Sequence, residues 1–393
     1  MTESLSIAIV LDRYDPNCGG LEAWTDGFAR WLLQRGHKVT VLCFGEEGGC
    51  PGVALRILDG RRGPLARAAK IAEELAGLSF DIVHDMGTGS EADVFQPHTG
   101  SRLVNAELED AALAPWLRIR RKLSPGVRRG RREIGLLERR QFADPSRIIA
   151  VSRMVRDQIA ARYGLDADRI TVIHNGVDTA RFSPERLTHF RSQARARWFF
   201  GEATVFLLVA NNFLLKGLGT ALEALARLEA MPGDIRVAVA GAGNIEGFSR
   251  LARRLGVDDH VRFLGHVDRI EEAYAAADVS LQPTHYDACS LSTLEGLASG
   301  LPTITTRANG AAELMISGEH GIVLDGSTDA EALAAAMRRM LDPDLRRLMG
   351  GAARRLGAAH DVAGNYLAVE DFYRLSLART RTAQGPRRAI QGE

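Results

Sequence analysis

A chain of 393 residues with 46% hydrophobic content can bury more than one core, so two or three domains are expected. Its net charge of +1, from 50 Lys and Arg against 49 Asp and Glu, argues against a general nucleic-acid binder. The four cysteines (Cys18, Cys43, Cys50, Cys289) show no metal-like spacing, and no apolar run reaches the ~18 residues of a membrane span. A cytoplasmic protein, at most peripheral to a membrane, is expected.

Short apolar strands alternate with amphipathic helices, the pattern of parallel α/β sheets. A first series of strands is expected at Ser6–Leu11, Lys38–Phe44, Asp81–His84, Val94–Pro97, Arg147–Val151 and Ile170–His174. Between the first strand and the helix Leu21–Arg35 stand Gly19 and Gly20, which let a ligand approach free backbone amides. His84, inside a strand, reads as support for the sheet; His98, just beyond a strand and flanked by Pro97 and Gly100, is a candidate site residue. From Arg118 to Arg140 the chain carries ten Arg or Lys against Glu133 and Glu138, a local charge of +8. Leu117, Ile119, Leu123, Ile134, Leu136 and Leu137 are interleaved with them, as on a surface that meets anionic lipid or an acidic acceptor. Asp166-Ala-Asp168 lies in a polar loop and reads as a solvated turn, so no metal is expected.

A second series of strands is expected at Val205–Ala210, Ile235–Ala240, Val261–Leu264, Val279–Gln282, Thr303–Thr305 and Gly321–Leu324, with a helix at Thr220–Glu229. Lys216 follows the first of these, where open α/β sheets bind ligands, and can neutralise a departing diphosphate. Gly241 and Gly243 form a glycine loop without a full G-x-G-x-x-G or a partner acid, so NAD is not expected. Most informative is His285-Tyr-Asp287-Ala-Cys-Ser290-Leu291-Ser292-Thr293-Leu-Glu295, where two carboxylates flank a hydroxyl-rich helix start. Helix-start amides suit a diphosphate, and the acids suit sugar hydroxyls; the combination fits a nucleotide sugar.

Asp287-x7-Glu295, with the following Gly296-Leu-Ala-Ser-Gly300-Leu-Pro302, resembles the E-x7-E element of retaining glycosyltransferases of family 4, which have the GT-B fold. The resemblance covers the chain to about Leu377 and implies two Rossmann-like parallel-sheet domains facing a central cleft. It implies that Glu295 holds the nucleotide ribose, Asp287 the donor hexose, Lys216 the diphosphate, and His98 the sugar near its reacting carbon. Amides around Ser290–Thr293 and Gly19–Gly20 would surround the phosphates. Gly243 resembles a nucleotide loop, and the segment with His266 and Val267 resembles the loop that meets the base. The first acid is Asp rather than the commoner Glu, and the Arg that commonly precedes the Lys by six residues is Ala210, for which Asn211 or Asn212 substitutes in part.

The domains implied are residues 1–180 for the acceptor, a linker at 181–201, and residues 202–362 for the donor. A helix at 363–378 returning to the first domain and a disordered tail at 379–393 complete the expectation. The expected reaction is metal-independent transfer of a hexose, UDP-glucose being the first donor, to a glycolipid or saccharide acceptor, as in the similar lipopolysaccharide-core glucosyltransferases. A sugar-nucleotide epimerase and a non-catalytic nucleotide-sugar or glycolipid binder remain as alternatives.

Overall fold

A computed structural model describes residues 4–16, 19–45, 48–60, 63–113, 115–228 and 234–384. They fall into two compact units, one drawn from residues 1–104, 116–173 and 366–393, the other from 105–115 and 174–365. Asn17, Cys18, Glu229 and the tail beyond Gln384 lie outside the described residues.

In the first unit β1 (Ser6–Val10), β2 (Lys38–Cys43), β3 (Ala54–Ile57), β4 (Ile82–Asp85) and β5 (Val94–Phe95) form a parallel sheet in the order β3-β2-β1-β4-β5. A short parallel pair follows, β6 (Ile149–Ala150) with β7 (Thr171–Val172), and Ile148 bridges to Phe95. Ile7, Ala8, Ile9 and Val10 are wholly buried, as a central strand covered on both faces requires. The unexpected strand is β3: all four of its residues are exposed on the sheet edge, so no alternation of apolar and polar residues announces it. Trp24 and Phe28 of the helix Gly20–Gln34 pack with Tyr366 and Tyr373 of the last helix, Val362–Gln384. That helix runs beyond Ala378, into residues expected as tail. Tyr373 Oη lies 2.6 Å from His84 Nδ1, so His84 is part of this packing.

The second unit has β8 (Thr204–Val209), β9 (Ile235–Ala240), β10 (Val261–Gly265), β11 (Val279–Gln282), β12 (Thr303–Thr306) and β13 (Gly321–Leu324), parallel in the order β10-β9-β8-β11-β12-β13. Phe206, Leu208, Val237, Val239, Leu281 and Ile304 form its core with the apolar faces of the covering helices. Residues 184–197, within the stretch expected as linker, form a helix of this unit, capped by Ser183 and led by Pro184. Arg191 and Arg195 on it donate to the carbonyls of Ala275, Ala276 and Ala277 and to the Asp278 carboxylate.

Strand order reverses between β1 and β4 in the first sheet and between β8 and β11 in the second. Ligands of open α/β sheets bind beyond the carboxyl ends of strands at such a reversal. The residues that follow β1, β4, β8 and β11 therefore stand at the ligand-binding ends of the two sheets.

Candidate functional site

Beyond β11 the chain turns through Pro283–Cys289 and enters the helix Leu291–Ala298, with Ser290 as N-cap. Ser290 Oγ accepts from the Thr293 N–H at 3.2 Å, and the Ser290 carbonyl takes the Leu294 N–H at 3.3 Å. The amides of Leu291 and Ser292 are left as first-turn donors without an intrahelical partner, at the positive end of the helix. The buried Asn309 locks this tip in place. Its Oδ1 accepts from the Ser290 and Ala311 amides, while its Nδ2 donates to Thr293 Oγ1 and Thr305 Oγ1 at 2.9 and 3.0 Å. A Cβ on Gly296 would come within 2.6 Å of Ser280 Oγ, so glycine there seats the helix tightly on β11.

Asp287 is held by its backbone: its N–H donates to the Ala308 carbonyl at 3.0 Å, and its carbonyl accepts from the Gly310 N–H at 2.8 Å. Its Oδ2 lies 2.5 Å from Lys216 Nζ, which comes from the loop after β8. The two loops can close only because position 217 is glycine. It has φ +75°, and a Cβ there would lie 2.0 Å from the Pro283 carbonyl oxygen. The structure thus joins Lys216, Asp287, the Ser290–Thr293 tip and Glu295 in one unit at the β8/β11 reversal.

Glu295, half-buried, accepts from Tyr274 Oη at 2.7 Å on Oε2. Tyr274 is buried with its ring edge-on to Phe182, and its hydroxyl also approaches the Ser292 carbonyl at 3.1 Å. Burial raises the Glu295 carboxyl above the ordinary range; the Tyr274 bond and the Arg181 charge oppose that rise, and Glu271 adds to it. Burial also holds the Tyr274 phenol protonated. Arg181 is in turn kept in place by Glu271 at 2.8 Å.

The other candidates of this unit are placed less closely. Asn212 is exposed and caps its own turn, accepting from the Leu215 N–H at 3.1 Å. Ala210, where an Arg is common, is buried, with its carbonyl oxygen against Gly241. A Cβ on Gly241 would fall 1.8 Å from that oxygen, and one on Gly243 would fall 2.5 Å from the Phe213 ring. Packing alone therefore requires both glycines. His266 and Val267 follow β10; the Gly265 carbonyl accepts from the Gly241 N–H at 2.7 Å, and His266 lies 3.3 Å from the Asp268 carboxylate.

Gly19, Gly20 and His98 belong to the first unit. Gly19 is the extended N-cap of the helix Gly20–Gln34, and a Cβ on it would meet Glu22 Oε2 at 2.8 Å. The His98 ring lies 4.5 Å from that of Trp24, its Nε2 is out of solvent, and burial lowers its pKa to about 3, so it is neutral at physiological pH. Asp85, at the end of β4, accepts from the amides of Gly87, Thr88 and Gly89 at 2.5, 2.7 and 2.5 Å, yet complete burial raises it to about 6. The basic stretch forms the helices Pro115–Leu123 and Pro125–Gln141. Leu137 enters the core, whereas Trp116, Ile119 and Leu123 are 64%, 59% and 69% exposed.

Among the described residues no group of three or more His, Cys, Asp or Glu is arranged to hold a metal ion. Asp166 caps the turn Ala167–Arg169, accepting from the Asp168 N–H at 3.1 Å. No described helix is long and apolar enough to cross a membrane. Sequence reasoning missed Tyr274 and Asn309, which act through Glu295 and Thr293, 21 and 16 residues away in the chain, and Asp85, whose partners are the amides of the loop that follows it.

Residues 18–181 match the family Glycosyltransferase Family 4, and residues 190–356 match Glycosyl transferases group 1. The chain is 31% identical to a D-inositol 3-phosphate glycosyltransferase of Acidothermus cellulolyticus, over 95% of this chain and 90% of that one. It is also 31% identical to a GDP-mannose-dependent alpha-(1-6)-phosphatidylinositol monomannoside mannosyltransferase of Mycolicibacterium smegmatis, over 60% of each. Among solved structures, WaaG, a glycosyltransferase involved in lipopolysaccharide biosynthesis, matches with a TM-score of 0.78 at 22% identity, covering 93% of this chain and 99% of that one. Anabaena Alr3699/HepE in complex with UDP and glucose matches with a TM-score of 0.70 at 17% identity, covering 93% and 98%.

Proposed function

The chain belongs to glycosyltransferase family 4 and has the GT-B fold, and from that premise we propose that it moves a hexose from a nucleotide diphosphate sugar to a lipid-linked or saccharide acceptor, without a metal. The observation that carries the reading is the grouping of Lys216, Asp287, Glu295 and the Leu291 and Ser292 amides at one strand-order reversal. Each group has a distinct task. The two amides and Lys216 take the diphosphate, whose charge grows as the sugar departs. Asp287 accepts from hexose hydroxyls. Glu295 offers its oxygens to the ribose, with Tyr274 fixing one of them. Gly243, His266 and Val267 border the nucleotide, with Asn212 beside the diphosphate. In the first unit, Gly19 and Gly20 supply further amides, and neutral His98 contacts the sugar.

UDP-glucose is the first donor to try, since HepE holds UDP and glucose; GDP-mannose is the second, since one relative is named for it. Retention of configuration is the outcome proposed, on the pattern of the family. Release of nucleoside diphosphate from UDP-, GDP- and ADP-sugars, with and without acceptor, is the test. Turnover of none of them would remove the reading.

The exposed Trp116, Ile119 and Leu123 beside the arginines suit a surface that is apolar in its depth and anionic at its face. We assign this face to anionic lipid headgroups, in keeping with a lipid-linked acceptor and a cytoplasmic enzyme at the membrane's inner face. Flotation with anionic but not neutral liposomes at low salt is expected; flotation with neither would remove it.

A further inference from the structure

Among the described residues, three buried side-chain nitrogens without a hydrogen-bond partner fall within His98–Arg102. They are Nε2 of His98 and Nε and Nη2 of Arg102. Buried polar atoms are nearly always paired, so this concentration on the segment just after β5 marks a place where a ligand completes the bonding. It lies beyond the carboxyl end of the sheet, on the side where such folds bind ligands.

Arg102 carries the chemical information. Its unpaired Nε and Nη2 are the two donors of the side-on edge of a guanidinium, the fork that matches two oxygens of a phosphate or carboxylate. Arg102 is half-buried, so leaving that fork empty is costly. The acids nearby do not use it. Glu138 accepts from the Arg102 backbone N–H, from Ser101 Oγ and from Tyr163 Oη, at 2.5, 2.9 and 2.5 Å. Asp85 feels the Arg102 charge, but its oxygens are taken by three loop amides. Nor is the helix start the site, because Glu138 and Ser101 already cap the helix Arg102–Ala111.

We propose that Arg102 binds an oxyanion, phosphate or carboxylate, on the acceptor, which makes the acceptor of this glycosyltransferase an anionic molecule. The proposal rests on the reading of the chain as a transferase but not on the identity of its donor. His98, four residues before Arg102, is the segment's other solvent-shielded ring donor or acceptor, so the same loop serves sugar and anion.

The test is calorimetric binding of three probes to the full chain with saturating nucleoside diphosphate: myo-inositol, myo-inositol 3-phosphate and dihexanoyl phosphatidylinositol. Wild type is expected to prefer at least one phosphorylated probe over myo-inositol by about 10- to 100-fold. Preference for the free phosphate alone, or for the lipid alone, tells which source supplies the anion. Arg102→Gln is expected to abolish the preference. Arg102→Lys, which keeps the charge and loses the fork, is expected to retain a minor part of it and decides the matter if the glutamine variant does not fold. Equal binding of all three probes by wild type, or undiminished preference in both variants, overturns the proposal. Failure of the donor reading shows separately, as absence of nucleotide-sugar binding to wild type without any acceptor probe.

Discussion

Lys216 Nζ and Asp287 Oδ2 stand 2.5 Å apart, joining the loops beyond β8 and β11 across 71 residues of chain. Both side chains are less than one-fifth exposed, so the pair is an internal part of the site rather than a surface ion pair. A diphosphate reaching Lys216 meets a cation already shared with a carboxylate.

That sharing gives a prediction with opposite signs for two ligands. Asp287→Ala frees Lys216, so nucleoside diphosphate should bind more tightly, by up to about tenfold, while the matching nucleotide sugar loses about 1–2 kcal/mol of hydroxyl contacts. Lys216→Met should weaken both and slow transfer about 100- to 1000-fold. Calorimetry with the two ligands decides; parallel weakening in Asp287→Ala would mean that Asp287 does not touch the sugar.

The Tyr274–Glu295 bond makes a second prediction. With Oε2 held at 2.7 Å by the phenol, Glu295 presents its free oxygen in one orientation. Tyr274→Phe should narrow the preference for a ribonucleotide over its 2′,3′-dideoxy analogue by about five- to tenfold, and Glu295→Ala should erase it. An unchanged preference in Tyr274→Phe would show that the bond only steadies the core.

Donor binding should also depend on pH through Glu295. Its folded carboxyl titrates above the unperturbed value of about 4.3, because burial disfavours the charge. The ionised form accepts ribose hydroxyls best, so affinity should fall as pH drops through that raised value. Glu295→Gln should flatten the profile, and a profile as steep in the variant would assign the titration to another group.

His84 predicts the acid behaviour of the first unit. Its pKa is lowered to about 3 by burial, with His98 adding to the effect. A histidine depressed on folding binds its proton only when unfolded, so stability is lost as pH falls below about 6.5. Asp85, raised to about 6, acts with the opposite sign. The His84 contribution therefore has to be read by difference: from pH 7 to pH 5 wild type should lose about 2 kcal/mol more than His84→Asn. Denaturant unfolding at the two pH values measures this, and equal losses would contradict it.

Phe199 is the non-glycine residue with positive φ among the described residues, at +56°, and it is 80% exposed. It follows the helix Pro184–Arg197, where a left-handed residue closes the C-terminus and glycine is usual. Relief of strain outweighs the entropy glycine adds to the unfolded chain, so Phe199→Gly should stabilise by about 0.5–1 kcal/mol. Destabilisation in thermal unfolding would mean the ring makes a contact of its own.

Much of this was legible in the residues because the signals are local. Apart from the exposed β3, the strands of both sheets lie where the sequence pattern expects them, and Ser290 before a hydroxyl-rich turn announced a helix start that the structure places beside β11. Lys216, Asp287 and Glu295 were each recognisable, but their mutual geometry was not, since it depends on Gly217 admitting Pro283. Asn309 and Tyr274 were silent for the same reason: an amide in a loop and a tyrosine in a helix become informative only when the fold brings Thr293 and Glu295 to them. The stretch at 184–197 read as linker because its apolar positions are few; it is a helix because Ser183 and Pro184 start it and arginines tie it to carbonyls.

The central claim is that a donor's diphosphate sits on the tip of the helix Leu291–Ala298 with its sugar and ribose on Asp287 and Glu295. A crystal structure with bound nucleotide sugar tests it most directly. Phosphate oxygens within hydrogen-bond distance of the Leu291 and Ser292 amides, and the ribose against Glu295, are the predicted result. Phosphate seated away from that tip, or a ribose that leaves Glu295 untouched, would contradict the account.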